Sequence, residues 1–143
     1  MSKGRYAMHL TQPEDFLSVR GALANIRDDF LHQGHRAEQF LKIEMVLAEA
    51  LNNIAEHGGP SVHDSPIIIK WQYENGHFRA TLNDTGHPYP ATVIPDTSNP
   101  RLDVDDIDLP EGGFGWNIIC QLCDTVRYQR IAHQNKLVIG IRT

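Results

Sequence analysis

Two alternating runs meet at Asn75-Gly76. In the first, Ile67, Ile69, Trp71 and Tyr73 fall on one face, and Lys70 and Gln72 share the other with Ile68. Beyond the dipeptide, Phe78, Ala80 and Leu82 keep the same period of two until Asn83-Asp84. A tight two-residue hairpin needs positive φ at both central residues, and Asn-Gly supplies it at little steric cost, so the runs predict an antiparallel hairpin. A second strand pair is predicted from Val126 to Arg130 and from Lys136 to Arg142, joined around His133-Gln134-Asn135. A hairpin alone is barely stable in water, so the apolar faces of both pairs need a layer packed on them.

Helices supply that layer. Tyr6 to Leu10 reads as a short edge strand. Thr11-Gln12-Pro13-Glu14 then has the spacing of a capping box, with Thr11 as N-cap and Pro13 in the first turn. Phe16, Val19, Leu23, Ile26 and Phe30 follow at helical spacing, and Gly34 ends the run. A second helix is predicted from Ala37 to His57, stopped by Gly58-Gly59-Pro60. A third runs from about Trp116 to Cys123, after Gly112-Gly113-Phe114-Gly115. The order is β, α, α, β, β, loop, α, β, β. It predicts an α+β fold: a two-layer sandwich of a mostly antiparallel mixed sheet with helices on one face. At 143 residues the chain is expected to form a single domain.

One stretch fits neither period. From His87 to Gly112 stand Pro88, Pro90, Pro95, Pro100 and Pro110, with six acidic residues against a single base, Arg101. That difference equals the formal net charge of the whole chain, -5. Loops beyond about 12–15 residues are usually functional or disordered. The acidic balance argues against a nucleic-acid partner. No apolar run approaches the roughly 18 residues that a membrane span needs, so no membrane association is expected. The first 15 residues hold charged side chains and no apolar signal core, and two cysteines make no disulfide framework. A soluble, cytoplasmic domain is the expectation.

Three places could carry chemistry. On the second helix, Glu49, Asn53 and His57 lie four residues apart and stack in a row beside the apolar stripe of Phe40, Ile43, Leu47, Ala50, Leu51 and Ile54. Such a row can be a plain solvated flank. Its chemistry also suits a general base, a hard oxygen ligand for Mg²⁺ and a phosphate contact. Asn83-Asp84-Thr85-Gly86 closes a strand. It can be an Asx turn, or it can offer a carboxylate to the exocyclic amine of a base, with Gly86 allowing close backbone approach. Gly112, Gly113 and Gly115 open a helix, where bare N–H groups can meet an anion or merely punctuate the chain. Cys120-x-x-Cys123 lies among Ile118, Ile119 and Leu122, with no second pair to complete a zinc site, and is expected to be buried and structural. The eight histidines show no ligand spacing.

In this order, Glu49-x-x-x-Asn53-x-x-x-His57, Asp84-x-Gly86, a long lid and Gly113-x-Gly115 resemble the N box and glycine boxes of the histidine-kinase-like ATPase superfamily, the Bergerat fold. Ala48-Glu49-Ala50-Leu51-Asn52-Asn53-Ile54-Ala55-Glu56-His57-Gly58 and Pro110-Glu111-Gly112-Gly113-Phe114-Gly115-Trp116-Asn117 are similar to segments of the bacterial anti-sigma factor serine/threonine kinases, and so is Asp124-Thr125-Val126-Arg127-Tyr128. The likeness spans Phe16 to Ile141. Pro88 stands where many relatives have a second glycine after Gly86.

The resemblance implies ATP and Mg²⁺ as cofactors. It implies Glu49 as general base, Asn53 as metal ligand and His57 as a neighbour of the phosphates. Asp84 and Gly86 would bind the adenine, and Gly112, Gly113 and Gly115 would face the phosphates. It implies a protein serine/threonine kinase that sequesters a sigma factor and phosphorylates a STAS-type antagonist. Two other readings stand beside it: a nucleotide-gated binding module without turnover, and a detached histidine-kinase catalytic domain. A homodimer would use the N-terminal strand and first helix. The lid would span about residues 87–112, with Asp103, Asp105, Asp106 and Asp108 turned to solvent or a basic partner surface, because like charges repel them from the phosphates.

Overall fold

The computed structural model describes residues 1–12, 14–89 and 114–143. Pro13, Gly112, Gly113 and the expected lid beyond Tyr89 lie outside the described residues. The chain runs β1 (Ser2–Met8), α1 (Phe16–His32), α2 (Ala37–His57), a 3-10 turn (Pro60–His63), β2 (Ile67–Glu74), β3 (His77–Asp84), α3 (Phe114–Leu122), β4 (Thr125–Ile131) and β5 (Gln134–Arg142).

The strands form one sheet in the order β1-β2-β3-β5-β4, and each of its pairings is antiparallel. Asn75 and Gly76 both take positive φ, 52° and 75°, as the tight hairpin requires. The other hairpin turns on Ala132 and His133, at φ 49° and 66°, with Ile131 opposite Gln134. The expected connection at His133-Gln134-Asn135 is therefore displaced toward the N-terminus. Asn135 is a strand residue, placed opposite Asp84 of β3.

The start of α1 also differs from expectation. Asp15, not Thr11, is the N-cap, and its Oδ1 accepts the Ser18 N–H at 3.0 Å. Its Oδ2 accepts the N–H and the hydroxyl of Thr11, both at 2.9 Å, and the Ser18 hydroxyl at 2.7 Å. A buried carboxylate is the stronger acceptor, so Thr11 serves it as a donor instead of capping the helix. Glu14, at φ 54°, is outside the helix.

One core joins the layers. Ile67, Ile69, Trp71, Phe78, Leu82, Leu137, Ile139 and Ile141 line the inner face of the sheet. Phe30 of α1 is fully buried there, with its ring centroid 5.3 Å from Phe40, 5.8 Å from Trp71 and 5.1 Å from Tyr73. The outer face meets solvent, as one side of an antiparallel sheet can. Lys3, Arg5, Lys70, Arg79, Arg127, Lys136 and Arg142 are exposed on it, with Glu74 as an acid, and Arg5 stands opposite Lys70. Cys120 and Cys123 are buried free thiols, as expected, and burial pushes Cys123 up to about 12. Among the described residues no helix is long and apolar enough to cross a membrane.

Candidate functional site

Asp84 ends β3 on the same face as Phe78, Ala80 and Leu82, so the strand period drives its carboxylate inward. Only 2% of the residue is exposed. An isolated buried carboxylate is costly, and this one is met by donors. Its Oδ1 accepts the Gly86 N–H at 2.8 Å and the Asn135 amide at 2.9 Å. Its Oδ2 accepts the Tyr89 hydroxyl at 3.1 Å. Burial raises the Asp84 pKa above its ordinary value of 3.8, against the pull of Asn135, the Gly86 N–H, Tyr89 and the Arg130 charge. Tyr89 is pushed well above its ordinary value by burial and by the Asp84 charge.

The Asx turn and the buried carboxylate are thus one structure: Asp84 closes the turn through Gly86. A Cβ on Gly86 would lie 2.8 Å from the Gly58 carbonyl oxygen and 2.9 Å from its Cα. No side chain fits there. The His87 N–H donates to the Gly58 carbonyl at 2.8 Å, so the end of β3 is tied to the end of α2. Gly59, at φ 74°, lies against the His87 ring, where a Cβ would collide.

The α2 row lies beside the buried stripe, as the spacing predicts. Glu49 and Asn53 are half-buried, and His57 is exposed, with Nε2 3.7 Å from Glu56 Oε2. Asn53 Nδ2 is buried and, among the described residues, has no hydrogen-bond partner. A half-turn of the amide would put Oδ1 there, an acceptor without a donor, which suits one ligand of a hard cation. Among the described residues no cluster of His, Cys, Asp or Glu could hold a metal by itself. A cation here would draw most of its oxygen ligands from outside the chain, and Mg²⁺ does that with waters and phosphates. Gly115 lies in the first turn of α3, which packs on α2.

Sequence reasoning missed four residues of this site. Asn135 is fully buried, its Oδ1 accepting the Tyr128 hydroxyl at 2.6 Å and Arg130 Nη1 at 3.0 Å. Arg130 Nη1 also donates to the Gly86 carbonyl at 2.6 Å. The rings of Tyr89 and Tyr128 stack with centroids 4.6 Å apart. The available signal was register: two residues before Leu137, Asn135 shares the buried face, and a polar side chain there needs partners.

The family model described as the histidine kinase-like ATPase domain matches residues 12–141. No curated protein has a sequence that matches this one. A chain of the SiaB-SiaC complex from Pseudomonas aeruginosa has a similar fold, with a TM-score of 0.61 at 11% identity over 96% of this chain and 88% of that one. The histidine kinase AdeS of Acinetobacter baumannii aligns with a TM-score of 0.49 at 16% identity, over 99% of this chain and 68% of that one.

Proposed function

This chain belongs to the histidine kinase-like ATPase domain family, and on that premise we propose that it binds ATP with Mg²⁺ and phosphorylates a Ser or Thr hydroxyl of a protein partner. The observation that carries the reading is Asp84: a buried carboxyl acceptor at a strand end, whose following turn is tied to the end of the Glu49-Asn53-His57 helix. An adenine amine is a donor suited to that acceptor. Asn53 Oδ1 would ligate Mg²⁺, and His57 would lie toward the phosphates. Gly112, Gly113 and Gly115 would offer backbone N–H groups to the phosphate oxygens at the start of α3. Bound Mg²⁺ would offset the phosphate charge.

Glu49 would take the proton of the attacking hydroxyl. The hydroxyl oxygen would then bond to Pγ as the bond from Pγ to the bridging oxygen breaks, leaving ADP. The partner we assign is a STAS-type antagonist, with a sigma factor as the protein that this chain sequesters. A fold able to form a protein complex, like that of SiaB-SiaC, is compatible with this. The experiment is incubation with Mg-ATP and a STAS-domain protein encoded beside this chain. Phosphoserine or phosphothreonine on the acceptor, lost in Glu49→Ala with ATP binding intact, is the expected result. Transfer that survives Glu49→Ala removes the base assignment, and phosphohistidine as product removes the serine/threonine reading.

A further inference from the structure

We propose that Asn135 is a positioning residue for base recognition, holding the Asp84 carboxylate together with Tyr89 so that one acceptor position stays open to the nucleotide's base. The inference rests on the reading of Asp84 as the adenine contact and adds the device that makes this contact selective.

The Asn135 amide is not free to turn. Tyr128 accepts the Tyr89 N–H at its hydroxyl oxygen, at 3.1 Å, and spends its own proton on Asn135 Oδ1. Arg130, the cation of this cluster, donates to the same Oδ1. Two donors fix the oxygen side, so Nδ2 must face the acceptors. It does: Asp84 Oδ1 lies at 2.9 Å, the His87 carbonyl at 2.8 Å and the Gly86 carbonyl at 3.4 Å. The reversed amide would set oxygen against a carboxylate and two carbonyls, and nitrogen against a guanidinium.

A carboxylate offers about four lone-pair sites. On Oδ1, the Gly86 N–H and Asn135 fill two. On Oδ2, Tyr89 fills one. Among the described residues, the position left without a donor is on Oδ2. A base with an exocyclic amine completes the set. A base with a keto oxygen in that place opposes acceptor to acceptor and leaves the buried carboxylate short of a bond. Discrimination therefore depends on Asp84 being unable to rotate, and Asn135 pins it together with the Gly86 N–H and the Tyr89 hydroxyl.

The test compares ATP with ITP, whose base has a keto oxygen where adenine has its amine, by calorimetric titration of the full chain. Wild type is expected to prefer ATP. Asn135→Asp keeps the shape and the acceptor for Tyr128 and Arg130 but places a carboxylate against Asp84. The preference should fall by about tenfold or more at pH 7.5. It should return in part as the pH is lowered and the substituted carboxyl facing Asp84 regains a proton and donates again. A residue needed only for packing gives no such acid rescue. Tyr128→Phe, which removes one of the two donors that fix the amide while keeping the stacked ring, should lower the preference several-fold, and it decides the question if Asn135→Asp does not fold. An unchanged ATP:ITP ratio in whichever of these variants folds overturns the proposal. A ratio that is also unmoved by Asp84→Asn overturns the adenine reading itself, a separate failure.

Discussion

Asp84 and Asp15 are both buried acids, and their surroundings push them in opposite directions. Asp15 is held well below its ordinary value of 3.8 by the Thr11 N–H and then the Ser18 hydroxyl. A lowered folded pKa gives stability that is present above the unfolded value and lost as pH falls below it. Asp15→Ala should cost about 1–2 kcal/mol at pH 7, as loss of an N-cap does, and the gap to wild type should narrow toward pH 3 in urea titrations. Asp84 is raised by burial, so the folded chain holds its proton more tightly than the unfolded chain does. Its sign is reversed: its contribution is most favourable in acid and declines as pH rises above 3.8. Asp84→Asn should therefore melt above wild type at pH 7, with the advantage shrinking toward pH 4. A buried carboxyl whose pKa is raised by burial suits a working site rather than the scaffold.

At the scale of elements, what could be read in advance depended on whether the signal was local. The bounds of α2 follow from its own apolar period and from Gly58-Gly59-Pro60, and the structure begins and ends it at Ala37 and His57. Asn75-Gly76 likewise states its turn outright. The β4–β5 turn carries no such label, because Ala132 and His133 hold positive φ with side chains that gain nothing from it. The flanking strand pairing imposes that conformation. Replacing the pair by Asn-Gly should raise stability by about 1 kcal/mol in denaturant titrations, since left-handed φ costs roughly 1–2 kcal/mol per ordinary residue. Misplacing that turn is also what concealed Asn135. The row on α2 and the Asp84-x-Gly86 turn were legible from spacing. Their meeting at Gly58 was not, since it joins segments far apart in the chain.

For the whole molecule, the charge count conceals a separation. The acidic excess lies in the segment from His87 to Gly112, while the outer sheet face carries exposed Lys and Arg side chains. Arg5 opposite Lys70 is a like-charge cross-strand pair. Arg5→Glu should add about 0.2–1 kcal/mol at low salt, and the gain should fade as added salt screens the pair. The opposite face of the sheet, under the helices, holds the core and the inward-facing Asp84. This arrangement lets the outer face change charge without disturbing the site, so Arg5→Glu should leave nucleotide binding unaltered.

The central claim is that Asp84 reads the base of a bound ATP. Titration of Mg-ATP into wild type and Asp84→Asn by calorimetry tests it most directly, with circular dichroism confirming both folds. We predict saturable binding by wild type and a loss of at least about thirtyfold in the variant, the order expected when a hydrogen bond to a buried charge is removed. Equal affinities in two folded proteins would contradict the account.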